Sequence, residues 1–129
     1  MVGRRAEGVN QAAYNEFLCL SGFADGSIDV LASNTAFIHG IGITAAEVAI
    51  MAGKGTGLIW SPRSNISLYG HTAAVTLYDI LGAAIALGTD WSASGSMNML
   101  REIQCAVEYN INNQKYKLHQ NTSPNNIKI

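Results

Sequence analysis

Short, continuous apolar runs alternate along this chain with longer segments in which apolar residues recur every three or four positions. The short runs are residues 35–38, 57–60 and 84–87. The longer segments are residues 9–20, 72–81 and 96–107. Short apolar runs are typical of strands buried on both faces, whereas the wider spacing is typical of amphipathic helices. The pattern therefore predicts three strands and at least three helices.

Local signals add a fourth helix and set several boundaries. Thr44-Ala-Ala-Glu47 has the spacing of a capping box, which predicts a helix over 44–51 that Gly53 ends. Pro62 lacks the backbone donor that a central strand needs, so residues 61–65 are predicted to form a polar loop. Strands and helices then alternate, which predicts an α/β fold of parallel strands joined by helical crossovers.

Polar side chains follow the apolar runs at the positions where α/β proteins carry their chemistry. His39 follows the first run, Asp90 follows the third just past Gly88, and Glu7 lies ahead of the first helix. The carboxyl ends of parallel strands meet at one end of a sheet, so two acids and an imidazole are expected to converge there. Such a group could bind a metal ion and activate water, with a carboxylate moving protons.

Each of these three residues also has a purely structural explanation. His39 could bond a backbone carbonyl at the end of its strand, and Asp90 could cap the turn that follows it. Glu7 could be a first-turn carboxylate near a helix N-terminus. The spacing alone leaves both explanations open.

Composition limits the classes of binding partner and the cellular compartment that can be expected. The 129 residues are 48% hydrophobic and 13% charged, with a net charge of −1, which gives no electrostatic case for binding nucleic acid or an anionic membrane. No apolar stretch approaches the ~20 residues that span a bilayer. Two cysteines lack metal or disulfide spacing, which favours a cytoplasmic protein.

Four motifs taken together resemble the amidohydrolase superfamily, in the branch that contains cytosine deaminase, guanine deaminase and the triazine chlorohydrolases. They are Ala6-Glu7-Gly8, Ile38-His39-Gly40, Ser61-Pro-Arg-Ser-Asn65 and Leu87-Gly-Thr-Asp90. The resemblance extends from Ala6 to about Ala106. It implies a (β/α)8 barrel of the TIM type that binds a divalent metal, zinc or iron, and hydrolyses non-peptide C–N bonds, as in the deamination of cyclic amidines.

The resemblance also implies a role for each matching residue. Asp90 corresponds to the acid that ligates the metal and that orients and deprotonates water, and His39 to the imidazole that steadies the water or the substrate. Glu7 corresponds to the acid that shuttles a proton to the leaving nitrogen. Ser64 and Asn65 correspond to a loop beside the pocket with a mainly structural role.

Several positions depart from the family pattern. The family begins with a His-x-His pair that binds metal, and this chain contains no such pair. Arg4 stands where the family has a third metal histidine, three positions before Glu7. Trp60 replaces a histidine of many relatives, and Trp91 follows Asp90 where glycine is common. Both tryptophans are predicted to contact the substrate, and Asp90 is the one family metal ligand that remains.

A whole barrel needs about 250 residues, so residues 1–109 are predicted to be the second half of a barrel. Residues 110–129 form an Asn-rich polar tail, in which six of twenty residues are Asn. The expected protein is a fragment or shortened member of the family whose small-molecule substrate is a heterocyclic amine or amide. It would be inactive alone, and its exposed edges would favour a homo-oligomer or a separate N-terminal half. The alternatives are a site completed in trans by a second chain and a non-catalytic binding or scaffold module.

Overall fold

The structure, a computed structural model, describes residues 2–112 and 127–128. Within these residues it contains strands and helices in an alternating α/β order. The strands are β1 (Val2–Arg5), β2 (Ala36–His39), β3 (Gly57–Trp60), β4 (Ile85–Leu87) and β5 (Ile127–Lys128). The helices are α1 (Gln11–Leu20), α2 (Ala45–Gly53), α3 (Pro62–Tyr69), α4 (Val75–Ile80) and α5 (Met99–Asn112). The predicted α/β class with parallel strands is confirmed.

The strands form one parallel sheet in which the spatial order follows the chain order, β1-β2-β3-β4-β5. In the central register Phe37 lies opposite Leu58, and Leu58 lies opposite Ile85. Parallel neighbours that follow one another along the chain are joined by right-handed crossovers, which place the connecting helices on one face. The carboxyl ends of β1 to β4 therefore share one end of the sheet, where the loops that follow them can meet.

The core lies where the central strands meet the helices. Phe17 of α1 and Phe37 of β2 are buried and pack edge to face, with ring centroids 6.0 Å apart. Met51 of α2, Leu58 of β3 and Tyr78 of α4 are buried in the same cluster. Burial of these apolar side chains, together with the edge-to-face aromatic contact, holds α1, α2 and α4 against the sheet.

The predicted capping box at the start of α2 is present. The Glu47 carboxylate accepts hydrogen bonds from the backbone N–H of Thr44, at 2.9 Å, and from its hydroxyl. The predicted stop is displaced, however, because Gly53 is the last helical residue and the left-handed φ of 73° is at Gly55. The start of α2 predicted from the capping box is confirmed. Its last residue, Gly53, lies two residues after the predicted end at Met51.

The prediction of a polar loop over 61–65 is wrong, because α3 begins at Pro62. Proline is unfavourable inside a strand but suits the first turn of a helix, where its φ is already helical and its missing N–H is not needed. The helix continues to Tyr69 and ends at Gly70, which has a φ of 65°. This correction places Ser64 and Asn65 on a helix rather than on a loop.

Three further boundaries differ from the predictions. Helix α4 begins at Val75 rather than at Thr72. Helix α5 begins at Met99 rather than at residue 96, and Asn98 accepts a hydrogen bond from its first turn, from Arg101 N at 3.0 Å. Strand β1 was not predicted from the apolar pattern. Its four residues, Val-Gly-Arg-Arg, include only one aliphatic side chain.

The proposed division of the chain at residue 109 falls inside α5. That helix continues to Asn112, and Ile127–Lys128 pair with β4 as β5. The remainder of the predicted Asn-rich tail, residues 113–126 and 129, lies outside the described residues. The two-part organisation stays a prediction.

Among the described helices, none has both the length and the apolar character required to cross a lipid bilayer.

Candidate functional site

Glu7, His39 and Asp90 come together at the carboxyl end of the sheet. His39 Nε2 lies 3.5 Å from Glu7 Oε1 and 4.0 Å from Asp90 Oδ2. The imidazole is fully buried, whereas the side chains of Glu7 and Asp90 are 19% and 6% exposed. Although the three residues are separated by up to 83 positions in sequence (90 − 7 = 83), they form one cluster. The convergence expected from the strand ends is therefore present.

The backbone at this cluster adopts an uncommon conformation. Among the described residues, three non-glycine residues have a positive φ: Ala6 at 50°, His39 at 75° and Asp90 at 55°. All three follow or end a strand of the sheet, and each belongs to the cluster or adjoins it. A non-glycine residue in the left-handed region costs of order 1–3 kcal/mol, and such residues concentrate at functional sites. Three uncommon backbone conformations therefore coincide at this cluster.

The loop that carries Glu7 is held from two sides. Ala6 N–H donates to Glu16 Oε2 of α1 at 3.0 Å. The Ala6 carbonyl accepts from the N–H groups of Ile41 and Gly42, each at 3.1 Å, which join this loop to the one after β2. These bonds fix the turn at Ala6, so that the next side chain, Glu7, is directed toward His39.

His39 is oriented by a side chain from α3. Its Nδ1 lies 2.9 Å from Asn65 Oδ1, and because an amide oxygen only accepts, Nδ1 carries the proton of this bond. In the neutral ring Nε2 is then the bare nitrogen. This buried Nε2 has no hydrogen-bond partner among the described residues, and it faces the two carboxylates.

Asp90 is held by a serine from the same helix. Ser64 Oγ donates to Asp90 Oδ2 at 2.5 Å, and Ser64 Oγ lies 2.9 Å from Ser94 Oγ. A hydroxyl has one proton to donate, so Ser94 is the donor in the serine pair. A charge-assisted hydrogen bond of this kind fixes the plane of the Asp90 carboxylate.

Gly40, the residue after His39, is held by a hydrogen bond from α4. The Tyr78 hydroxyl donates to the Gly40 carbonyl at 3.0 Å, and Gly40 has a φ of 55°. Burial raises the pKa of Tyr78 well above its usual range, so its hydroxyl keeps the proton that this bond requires. Tyr78 thus connects the hydrophobic core to the backbone that positions His39.

The two tryptophans predicted to contact substrate lie in different surroundings. Trp60, at the end of β3, is only 4% exposed, and its indole N–H donates to Thr72 Oγ1 at 2.6 Å. Its ring packs edge to face against Tyr109, with centroids 6.5 Å apart. Trp91 is 60% exposed and directly follows Asp90. Substrate contact by either residue stays a prediction, and the side chain of Arg4 lies outside the described part of the chain.

A cleft of about 310 Å³ opens beside the loops that follow β1 and β2. Its lining includes Val9 and Ile41 but none of Glu7, His39 and Asp90. His71 and Thr72 also line it. A volume of this size is at the lower end of the range for small-molecule pockets.

The donor set at the cluster fits a divalent cation. The donor atoms of Glu7, His39 and Asp90 all lie within 4.8 Å of one another. Two donors that are each about 2.0–2.2 Å from one ion lie at most about 4.4 Å apart, so His39 Nε2 could share an ion with either carboxylate, at separations of 3.5 and 4.0 Å. A bare imidazole nitrogen flanked by carboxylates is a donor set that zinc and iron accept. Asp90 is the ligand that the resemblance implies, and the other two side chains face the same space.

The contacts that four polar residues make around the cluster could not be predicted. Ser64 and Asn65 were placed only beside the pocket, and Thr72 and Ser94 were not singled out at all. No local signal distinguishes these polar residues from surface residues. Their contacts to Asp90, His39 and Trp60 depend on the three-dimensional placement of α3.

Comparisons with known proteins support the resemblance to amidohydrolase-family deaminases. The chain is 33% identical over 69 residues to the 5-methylthioadenosine/S-adenosylhomocysteine deaminase of Halobacterium salinarum, which covers 54% of this chain and 16% of that protein. It is 34% identical over 71 residues to the corresponding deaminase 2 of Archaeoglobus fulgidus, covering 55% of this chain and 17% of that protein. It is also 33% identical over 99 residues to the 8-oxoguanine deaminase of Pseudomonas aeruginosa, covering 71% of this chain and 22% of that protein.

The chain therefore spans about a fifth of the length of these curated relatives, between 16% and 22%. No protein-family model matches the chain.

Proposed function

We propose that the cluster of Glu7, His39 and Asp90 is part of the hydrolytic centre of a metal-dependent deaminase that removes an amino group from a heterocyclic amine. One observation carries this proposal. The buried Nε2 of His39 lies 3.5 Å from Glu7 and 4.0 Å from Asp90 and has no hydrogen-bond partner among the described residues. A buried polar atom without a partner is unfavourable unless a ligand, a water or an ion satisfies it.

The strand order supports a barrel as the setting of this centre. Four parallel strands in sequential order, each followed by a helix, correspond to consecutive β/α units of a (β/α)8 barrel. In such barrels the catalytic groups follow the strands at their carboxyl ends, where these three residues lie. We place β1 to β4 as the second half of the barrel.

The proposed reaction is the hydrolysis of an exocyclic C–N bond. Water adds to the ring carbon that carries the amino group, the C–N bond breaks, and ammonia leaves. Over one turnover one proton of the water goes to the leaving nitrogen and the other goes to the ring nitrogen beside the new carbonyl. A divalent cation held at Asp90 would supply the Lewis acidity that makes water a nucleophile near neutral pH.

Each of the three side chains would have its own role in the reaction. Asp90 would ligate the cation, and its carboxylate orients the attacking water and accepts its proton. His39 accepts a hydrogen bond from the water at its bare Nε2, which keeps the water in place. Glu7, the most exposed of the three at 19%, delivers a proton to the leaving nitrogen, where contact with the substrate is needed.

Further metal ligands and further substrate contacts would come from polypeptide outside these 129 residues, either another segment or a second chain. Asp90 would fill one coordination position of the cation, and catalytic zinc sites use three protein ligands and keep one position open. The relatives named as deaminases act on adenosine-type and guanine-type compounds, so the substrate class we propose is a small heterocyclic amine. The exposed Trp91, next to Asp90, could stack on such a ring. A cytoplasmic location stays a prediction.

A graft tests the proposed function. Residues 6–106, which contain all three groups together with Ser94, Ser96 and Glu102, would replace the matching segment of the Pseudomonas aeruginosa 8-oxoguanine deaminase. The host supplies the rest of the barrel and the missing ligands. We expect the zinc-loaded graft to release ammonia from 8-oxoguanine or from another heterocyclic amine in a panel.

A matched control is the same graft with Asp25→Asn, which changes an exposed acid outside the cluster and should keep the activity. If the graft folds, binds zinc and releases no ammonia from any amine, the proposal fails. That result would favour the alternative, a non-catalytic binding or scaffold module.

A further inference from the structure

We propose that Ser64 and Asn65, adjacent residues of α3, are positioning residues that hold Asp90 and His39 in their reactive orientations. This inference rests on the proposed function and assigns the residues that prepare the same site. Both side chains are fully buried, and each contacts a different member of the cluster. Because they are neighbours on one helix, a single element sets the orientation of both reacting groups.

The Asn65 amide determines which nitrogen of His39 is bare. The indole N–H of Trp60 can only donate, so Thr72 Oγ1 is an acceptor in that bond. Asn65 Nδ2 donates to the same oxygen at 3.2 Å, which turns the amide oxygen toward His39. His39 must then carry its proton on Nδ1. The chain of contacts from Trp60 through Thr72 and Asn65 presents a bare Nε2 to the two carboxylates.

The Ser64 hydroxyl determines the orientation of Asp90. Ser94 donates to Ser64, and Ser64 donates to Asp90 Oδ2. This hydrogen bond occupies one lone pair of the carboxylate and fixes its rotation about the Cβ–Cγ bond. Asp90 is in the left-handed region, at a φ of 55°, so the serine also compensates for a strained backbone.

Helix α3 is itself held at its first turn. Glu102 of α5 is fully buried, and its Oε1 accepts from the backbone N–H of Arg63 at 3.1 Å. Arg63 Nε donates to Ser96 Oγ at 2.9 Å. A carboxylate at a helix N-terminus is favourable, because it satisfies a free N–H and complements the helix dipole. The position of Ser64 and Asn65 is therefore set by two contacts from the segment that includes α5.

The first test measures the tautomer of His39 in the chain itself, without turnover. Long-range ¹H–¹⁵N spectra of histidine-labelled protein, recorded at one alkaline pH, report which ring nitrogen carries the proton. We expect Nδ1–H in the wild-type chain, a shift of the proton toward Nε2 in Asn65→Leu, and restoration of Nδ1–H in Asn65→Asp, which keeps an acceptor. Thr72→Val, which removes the partner of the amide, should shift the same signal if Asn65→Leu does not fold.

The second test measures kcat in the graft described above. We expect Ser64→Ala to lower kcat on the order of 10-fold to 100-fold, as loss of a supporting contact typically does. Ser64→Thr, which keeps the hydroxyl, should recover most of the activity. Ser33→Ala is the control, because Ser33 is an exposed serine outside the cluster and outside α3.

The two tests separate failure of this inference from failure of the proposed function. An inactive graft with the expected tautomers would overturn the proposed function and leave the role of Asn65 intact. A bare Nδ1 in the wild-type chain, or an unchanged tautomer in a folded Asn65→Leu chain, would overturn the role of Asn65. An active graft in which Ser64→Ala has no more effect than Ser33→Ala would overturn the role of Ser64.

Discussion

Asp90→Asn is expected to abolish most of the hydrolytic activity, lowering kcat in the graft by about 10²-fold to 10⁴-fold. Asparagine has nearly the same shape as aspartate, and its amide oxygen can still accept the hydrogen bond from Ser64. It has lost the negative charge that binds a cation and the basicity that accepts a proton from water. The loss would therefore report chemistry rather than a change of fold.

The same substitution should weaken divalent-cation binding by the isolated chain by at least about tenfold, measured by calorimetric titration with zinc. Glu7→Gln provides the contrast, because we assign Glu7 to proton transfer. It should lower kcat strongly and leave zinc affinity nearly unchanged. Asp25→Asn should change neither quantity. If Asp90→Asn leaves both kcat and zinc affinity at their wild-type values, Asp90 is not the ligand we propose.

Gly40→Ala is expected to destabilise the chain by about 2–5 kcal/mol, the sum of steric overlap and backbone strain. A Cβ at Gly40 would lie 2.5 Å from the Tyr78 hydroxyl and 2.8 Å from Leu58 Cδ1. The φ of 55° at Gly40 adds strain for any residue with a side chain. Because Gly40 directly follows His39, the substitution should also displace the imidazole. Denaturant unfolding followed by circular dichroism measures the free energy of unfolding.

Gly53→Ala is the matched control, since no atom lies within 4 Å of the added Cβ and the residue ends a helix. It should be neutral or stabilise the chain by about 0.4–1 kcal/mol. A double variant, Gly40→Ala with Tyr78→Phe, removes the closest overlapping atom. Its cost should be smaller than the sum of the two single variants. A Gly40→Ala chain as stable as the wild type would contradict this packing around His39.

The elements that were predicted correctly carry short-range signals. Strand β3 matches the apolar run 57–60, and β2 is shifted by one residue. The start of α2 was predicted because a capping box can be recognised from four consecutive residues. Helix α3 was missed because Pro62 has two opposite meanings, a break in a strand or a favourable first residue of a helix. Sequence alone did not determine which of these applied.

The candidate site, like the fold, was predicted only in part. Glu7, His39 and Asp90 were predicted because each follows a strand or belongs to a recognisable motif, and parallel topology brings strand ends together. The hydrogen bonds of Asn65 to His39 and of Ser64 to Asp90 each join residues 26 positions apart. Such contacts depend on the placement of a helix that was itself mispredicted. The supporting side chains of the site were therefore beyond what the pattern could indicate.

The central claim is that the imidazole of His39 and the carboxylates of Glu7 and Asp90 converge on one site that holds a divalent cation. The most direct measurement is an anomalous difference map from crystals of the chain soaked in cobalt or zinc. We predict one peak about 2 Å from an oxygen of Asp90, with His39 Nε2 and the Glu7 carboxylate directed toward it. The account would be contradicted by side chains that point to different sides of the molecule, or by a cation that binds only elsewhere.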